Sequence, residues 1–225
     1  MQPVVNAPIL FDVVYRRLMD AIIDCTLLPG QRILQLELAA RLGVSRAPVS
    51  HALQVLKHQG LLQDTGKKGL EVASIDPGRV RDFYQVRATL DGLAARMAGE
   101  RAAAGQLARQ DADHLRQVFV AGLKFGNETA MSRRVQADID FHRAVYRASG
   151  NGSIAEVMEP LWPHIQRAMV LVLEANKLRK QAWRDHRLIM TSILAGDPAS
   201  ADKAAFSHAK NAGNDTEARL RKSGV

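Results

Sequence analysis

The sequence is poor in the residues that several classes of function require. It has a single cysteine, Cys25, so no internal disulfide can form, and a reducing, cytoplasmic setting is expected. Cys25 itself is expected to be a small apolar residue buried on the first helix rather than a redox centre. No apolar run approaches the length of a membrane span. The opening stretch MQPVVNAPILFDVVYRR puts no basic residue ahead of its apolar part. Neither membrane insertion nor export is therefore expected. Internal repeats and low-complexity runs are absent, and strand signals nearly vanish beyond residue 76.

What remains is a globular composition, 47% hydrophobic over 225 residues. That length allows one large or two modest domains, each with a real core. The formal net charge is +8, which favours attraction to nucleic acid but does not locate a site. Residues 1–75 carry 8 Lys+Arg against 6 Asp+Glu, and residues 76–225 carry 23 against 17. Most of the excess thus lies in the later part of the chain.

The most informative stretch is LAARLGVSRAPVSHALQVLKHQG, from Leu38 to Gly60. Leu38, Ala39 and Leu42 give a short helix an apolar edge, and Gly43 suits the left-handed residue that ends it. Val44 follows as a buried turn residue. Ser45 is placed to cap the next helix, and Pro48 falls in its first turn, where a missing N–H costs nothing. Val49, Ala52, Leu53 and Leu56 then recur at helical spacing. The opposite face carries Arg46, Ser50, His51, Gln54, Lys57 and His58. A helix-turn-helix needs such a second helix, one side held by a core and the other free to enter the DNA major groove. Next come Leu61-Leu62 and QDTGKKGLEVA, two strand-like pieces around Gly66-Lys67-Lys68-Gly69. That reads as a hairpin wing whose two lysines suit a phosphate backbone. The spacing predicts DNA contacts from Ser45, Arg46, Ala47, Ser50, His51 and Gln54, with Lys67 and Lys68 on phosphate. Because one recognition helix reads few base pairs, a homodimer on a near-palindromic double-stranded operator is expected.

The fold expected is mainly α, with an N-terminal winged helix-turn-helix over residues 1–75 and an all-α bundle over 76–225. Leu10 to about Cys25 is the opening helix, and Ser74-Ile75-Asp76-Pro77-Gly78 is the boundary. Six or seven helices follow: Val80–Ala104, Gln106 to about Gly122, Met131–Gly150, Ile154–Trp162, His164–Asn176, Arg179–Leu194 and Ala199–Arg221. On the first, Val80, Phe83, Val86/Arg87, Leu90, Leu93/Ala94 and Met97 form the apolar stripe.

Within the bundle, Asp138 and His142 stand four residues apart in QADIDFHRAVYRASGN and project from one helix face. His186 and His208 lie on two later helices. One carboxylate and three imidazoles can converge on a divalent ion. The donor set suits zinc or nickel, with manganese or iron admitted by the carboxylate. An Asp-x-x-x-His pair is also a common solvated helix pair. His164 follows Trp162-Pro163 at a helix start and ranks below these four as a site residue. Trp162 and Trp183 read as packing residues.

The first third of the chain resembles the GntR family of bacterial transcription regulators. Pro29-Gly30, Leu38-Ala39, Gly43-Val44-Ser45-Arg46, Pro48-Val49, Ala52-Leu53, Leu56 and Gly60-Leu61 all fall on that pattern. Ser50-His51 stands where the family usually has Arg-Glu, and Leu34-Gln35-Leu36 lacks the family's usual Glu. The family's usual operator therefore does not carry over. The later segment is similar to the helical effector domain of the FadR-like branch. Arg87 lies in VRATLDGLAARMA, with Asp91 replacing the usual Glu, and the motifs DIDFHRAVYRASGN and HRLIMTSILAGDPASADKAAFSH match the rest. This resemblance implies that Asp138, His142, His186 and His208 hold one metal. It also implies that the effector is a small carboxylate or sugar acid, and that Arg87 faces its pocket. Residue chemistry alone equally allows Arg87 a salt bridge to Asp82 or Asp91. A second function class is a metal-dependent hydrolase or lyase with a DNA-binding-like appendage. No motif-supported general base accompanies the quartet, which favours the regulator.

Overall fold

The computed structural model describes residues 7–66, 69–126, 128–172 and 176–223. The chain divides into two compact units, one within the first 75 residues and the other from Asp76 onward.

The first unit runs α1 (Ala7–Ile23), β1 (Arg32–Ile33), α2 (Gln35–Leu42), α3 (Arg46–His58), β2 (Leu62–Thr65) and β3 (Gly69–Val72). α3 buries Val49, Ala52, Leu53 and Leu56 in one aliphatic cluster with Val14, Leu18 and Ile22 of α1. Gly43 adopts φ 67°, a left-handed conformation that costs glycine nothing. The turn it makes lets Val44 N–H return to Ala39 O at 3.1 Å. Val44 is half-buried against the core rather than enclosed. Ser45 occupies the extended N-cap position, but its hydroxyl makes no cap hydrogen bond. The wing hairpin is antiparallel, with Leu62 opposite Val72 and Thr65 opposite Gly69. A third strand, β1, pairs with β3, placing Arg32 opposite Glu71. Two residues are too few to show alternation, so β1 left no periodic signal. Cys25 lies past the end of α1 at φ 60° and half-buried, not on the helix.

Among the described residues the second unit is entirely helical. It comprises α4 (Pro77–Ala103), α5 (Arg109–Leu123), α6 (Met131–Ser149), α7 (Gly152–Met158), α8 (Trp162–Val172), α9 (Asn176–Leu194) and α10 (Pro198–Ser223). α4 begins at Asp76, whose carboxylate accepts from Gly78 N–H at 2.8 Å, with Pro77 in the first turn. The buried side of α4 is Val80, Tyr84, Arg87, Ala88, Asp91, Ala94, Ala95 and Ala98. This stripe is rotated from the one that hydrophobicity alone selects, and Val86 is 47% exposed. Small residues on the true stripe let α10 approach closely. A Cβ on Gly213 of α10 would sit 2.5 Å from Tyr84 Cβ. No helix among the described residues is long and apolar enough to cross a membrane.

Candidate functional site

In the winged-helix unit, Ser45, Arg46, Ala47, His51 and Gln54 are exposed and Ser50 is half-buried. His51 is engaged on one side, its ring centroid 4.3 Å from that of Phe11 in α1. Lys57 pairs with Asp64 of the wing at 2.8 Å. Arg46 and Gln54 border an open hollow together with Arg32, a cation that the sequence pattern did not single out. Lys67 and Lys68 lie outside the described residues.

In the helical unit, α6 carries Asp138 and His142 one turn apart, α9 carries His186 and α10 carries His208. Each offers a donor atom, and these atoms lie within 4.8 Å of one another. His186 Nε2 is 3.2 Å from His208 Nε2 and 3.4 Å from Asp138 Oδ1. His142 Nε2 is 3.8 Å from Asp138 Oδ2. Donors about 2.1 Å from a shared ion stand roughly 3.0 to 3.4 Å apart in octahedral or tetrahedral arrangements. The residues fit a divalent ion.

Two further carboxylates orient the imidazoles. His142 Nδ1 lies 3.2 Å from Asp91 Oδ2, and His208 Nδ1 lies 3.2 Å from Asp185 Oδ2. A carboxylate can only accept, so each Nδ1 donates to it and each Nε2 is turned toward the centre. Burial, followed by the nearby Arg87 charge, lowers the His142 pKa. Burial, then His208 and His142, holds His186 well below the usual imidazole value. Both are neutral at pH 7, as metal ligation requires. Asp91 and Asp185 escaped the sequence reading as site residues. Asp91 does stand one helical turn from Arg87, at the motif position where the family has Glu, whereas the only local signal for Asp185 is that it precedes His186.

Arg87 is buried in the same cluster. Its Nε donates to Asp91 Oδ2 at 3.2 Å, and its Nη2 donates to His142 Nε2 at 2.6 Å and lies 3.9 Å from Asp138. Its guanidinium stands 5.0 Å from the Trp162 ring, while Nη1 is buried without a hydrogen-bond partner. Of the two carboxylates open to it in the sequence, Asp91 is the partner. Tyr146 hydroxyl also donates to Asp91. Burial pushes the Asp91 carboxyl up, but His142 and Arg87 outweigh it and hold its pKa at about 2.

Arg87, Asp138 and His208 border a cavity of about 820 Å³, which Tyr84, Met169 and Trp183 also line. His164 packs instead against Phe83, ring centroids 5.2 Å apart, and does not line this cavity.

Comparison with known proteins agrees with both units. Residues 10–72 match the bacterial regulatory proteins of the gntR family, and residues 82–211 match the FCD domain. The chain is 30% identical over 213 residues to an uncharacterized HTH-type transcriptional regulator in an unstable DNA locus of Streptomyces ambofaciens, covering 92% of this chain and 85% of that one. It is 27% identical to the HTH-type transcriptional repressor NanR of Cronobacter sakazakii, over 80% of this chain and 73% of the relative. Among solved structures, E. coli McbR/YncC superposes with a TM-score of 0.75 at 21% identity, covering 96% of this chain and 99% of that one. That likeness speaks to the fold. The chain belongs to the GntR family of bacterial transcriptional regulators, in the FadR-like group that carries an FCD domain. The family and these relatives are regulators, not enzymes, which removes the hydrolase or lyase reading.

Proposed function

We propose that this regulator works as a homodimer. Residues 1–75 bind a near-palindromic operator, and residues 76–225 dimerise and bind a small carboxylate at a divalent metal. The observation that carries this reading is the quartet Asp138, His142, His186 and His208, with two of its imidazoles fixed by Asp91 and Asp185. Its nitrogen-rich donors favour zinc or nickel, with manganese or iron as the carboxylate-tolerant alternatives. A bound ion would supply open coordination positions for the effector's oxygens. Arg87 borders the cavity, and a planar guanidinium suits a carboxylate. The His142 lone pair that accepts from Arg87 is the one an ion would take, so metal and Arg87 compete for it.

On the DNA side, Arg46 carries the main base-edge contact, with Ser45, Ala47, Ser50, His51 and Gln54 around it. Lys67 and Lys68 bind phosphate. The dimer doubles a contact that a single recognition helix makes only weakly.

The test is metal analysis of protein dialysed against zinc, nickel and manganese, repeated on His186→Ala. The expected result is one ion per chain in the parent. The variant should lose the ion and the thermal response to carboxylates, yet retain operator binding. A parent protein that retains none of the three metals refutes the site. A variant that loads metal normally shows that His186 is not a ligand. Light scattering that finds a monomer at micromolar concentration, with and without DNA, rejects the dimer.

A further inference from the structure

The cavity beside the quartet also holds arginines with no ion-pair partner among the described residues. On α6 the residues Met131, Arg134, Val135 and Asp138 face it in succession, at the spacing of one helix side. Arg134 therefore starts one turn before Asp138, with Cβ atoms roughly 6 Å apart. A long helical side chain leans toward the helix N-terminus, which carries its guanidinium further from the quartet. Its Nε is buried and has no hydrogen-bond partner. No ion pair reaches it among the described residues. Arg219, about three turns beyond His208 on the same side of α10, lines the cavity half-buried and makes no ion pair among the described residues.

The acids bordering the cavity do not balance these charges. Asp138 belongs to the quartet, and Asp185 is held by His208. Asp215 is exposed and pairs with neither arginine, and Lys203 adds another cation. A buried guanidinium nitrogen without a partner destabilises the structure unless a ligand supplies the acceptor. Arginine, with its planar fork of donors, is suited to a carboxylate or phosphate.

We propose that the effector is a dianion, with one carboxylate at the quartet and a second anionic group, carboxylate or phosphate, held by Arg134 and Arg219. This rests on the carboxylate reading of the quartet and narrows it. A monoacid of the same length would leave both arginines unpaired. Arg134 starts one turn before Asp138 and Arg219 about three turns beyond His208, so a chain of several carbons, as in adipate, must separate the two anionic groups.

Isothermal titration of the full-length, zinc-loaded protein tests this with adipate, monomethyl adipate, hexanoate and 4-phosphonobutyrate at constant pH and ionic strength. Adipate or the phosphonate should bind at least roughly tenfold more tightly than hexanoate or the half-ester, the worth of one charged hydrogen-bonded contact. The tighter of the two identifies the second group as carboxylate or phosphate. Arg134→Gln and Arg219→Gln should each erode that advantage, while zinc content and hexanoate affinity stay at the parent level. Hexanoate binding equal to that of both dianions overturns this inference alone, as does a dianion advantage that survives both substitutions. Zinc-loaded protein that binds none of the four probes overturns the carboxylate reading and this inference with it.

Discussion

The two units of this regulator place their polar chemistry on opposite sides of their cores. In the winged-helix unit the interior is aliphatic, with Val14, Leu18, Ile22, Leu53 and Leu56 at its centre, and Arg46, Ala47, His51 and Gln54 stand outside. In the helical unit Arg87, Asp91, Asp138, His142, His186 and His208 are buried at the centre. Taking an ion out of water costs several kcal/mol unless a partner meets it. The helical unit meets that demand with the Arg87–Asp91 pair and with carboxylates behind two of the imidazoles. A face that reads a partner from outside can change without disturbing the fold beneath it. An enclosed site shares its side chains with the core, so function and stability change together.

The largest expected effect is on the aliphatic core. Leu56→Ala should cost about 2–5 kcal/mol, because Leu56 is fully buried and its truncation leaves a cavity. Denaturant unfolding followed by a probe in each unit should show the loss in the winged-helix transition only. An equal shift in both transitions would mean that the two units do not unfold independently. Next comes the α4–α10 contact. Gly213→Ala should cost about 1–3 kcal/mol in the helical unit, since the added methyl meets Tyr84 Cβ at 2.5 Å and backbone must move. A variant as stable as the parent would mean that the two helices are not held at that spacing.

On the exposed face the effect should fall on binding alone. Arg46→Ala should weaken operator binding by about 1–3 kcal/mol and relax sequence preference, with no change in melting temperature. Equal losses on specific and random duplexes would reject its reading role. The smallest effect is a pH dependence of the chelator-treated helical unit. Burial, then neighbouring charge, depresses the pKa of His142 and His186. An imidazole in the unfolded chain titrates near about 6.5. A group whose folded pKa is depressed contributes its full stability above that value and loses it as pH falls. The melting temperature should therefore decline between about pH 7 and pH 5. The parent and His186→Ala should differ in the steepness of that decline, and parallel curves would remove His186 as a cause.

The sequence by itself determined the local units. The turn at Gly43-Val44, the apolar face of α3 and the glycine-bearing wing are written in short-range spacing, as is the single helical turn between Asp138 and His142. These follow from periodicity and from backbone preferences that act over a few residues. Tertiary structure decided which faces were used. α4 carries two plausible stripes, and the packing of α10 buries Tyr84, Arg87, Ala88 and Asp91 rather than Phe83, Val86 and Leu90. Hydrophobicity could not foresee that, because the chosen stripe includes a charged pair whose burial is tolerable only with partners brought from other helices. β1 exists only because β3 accepts it. Asp91 and Asp185 became partners of His142 and His208 because α4, α6, α9 and α10 converge. Spacing along the chain specifies what one helix presents, but a hydrogen bond between helices depends on how they pack.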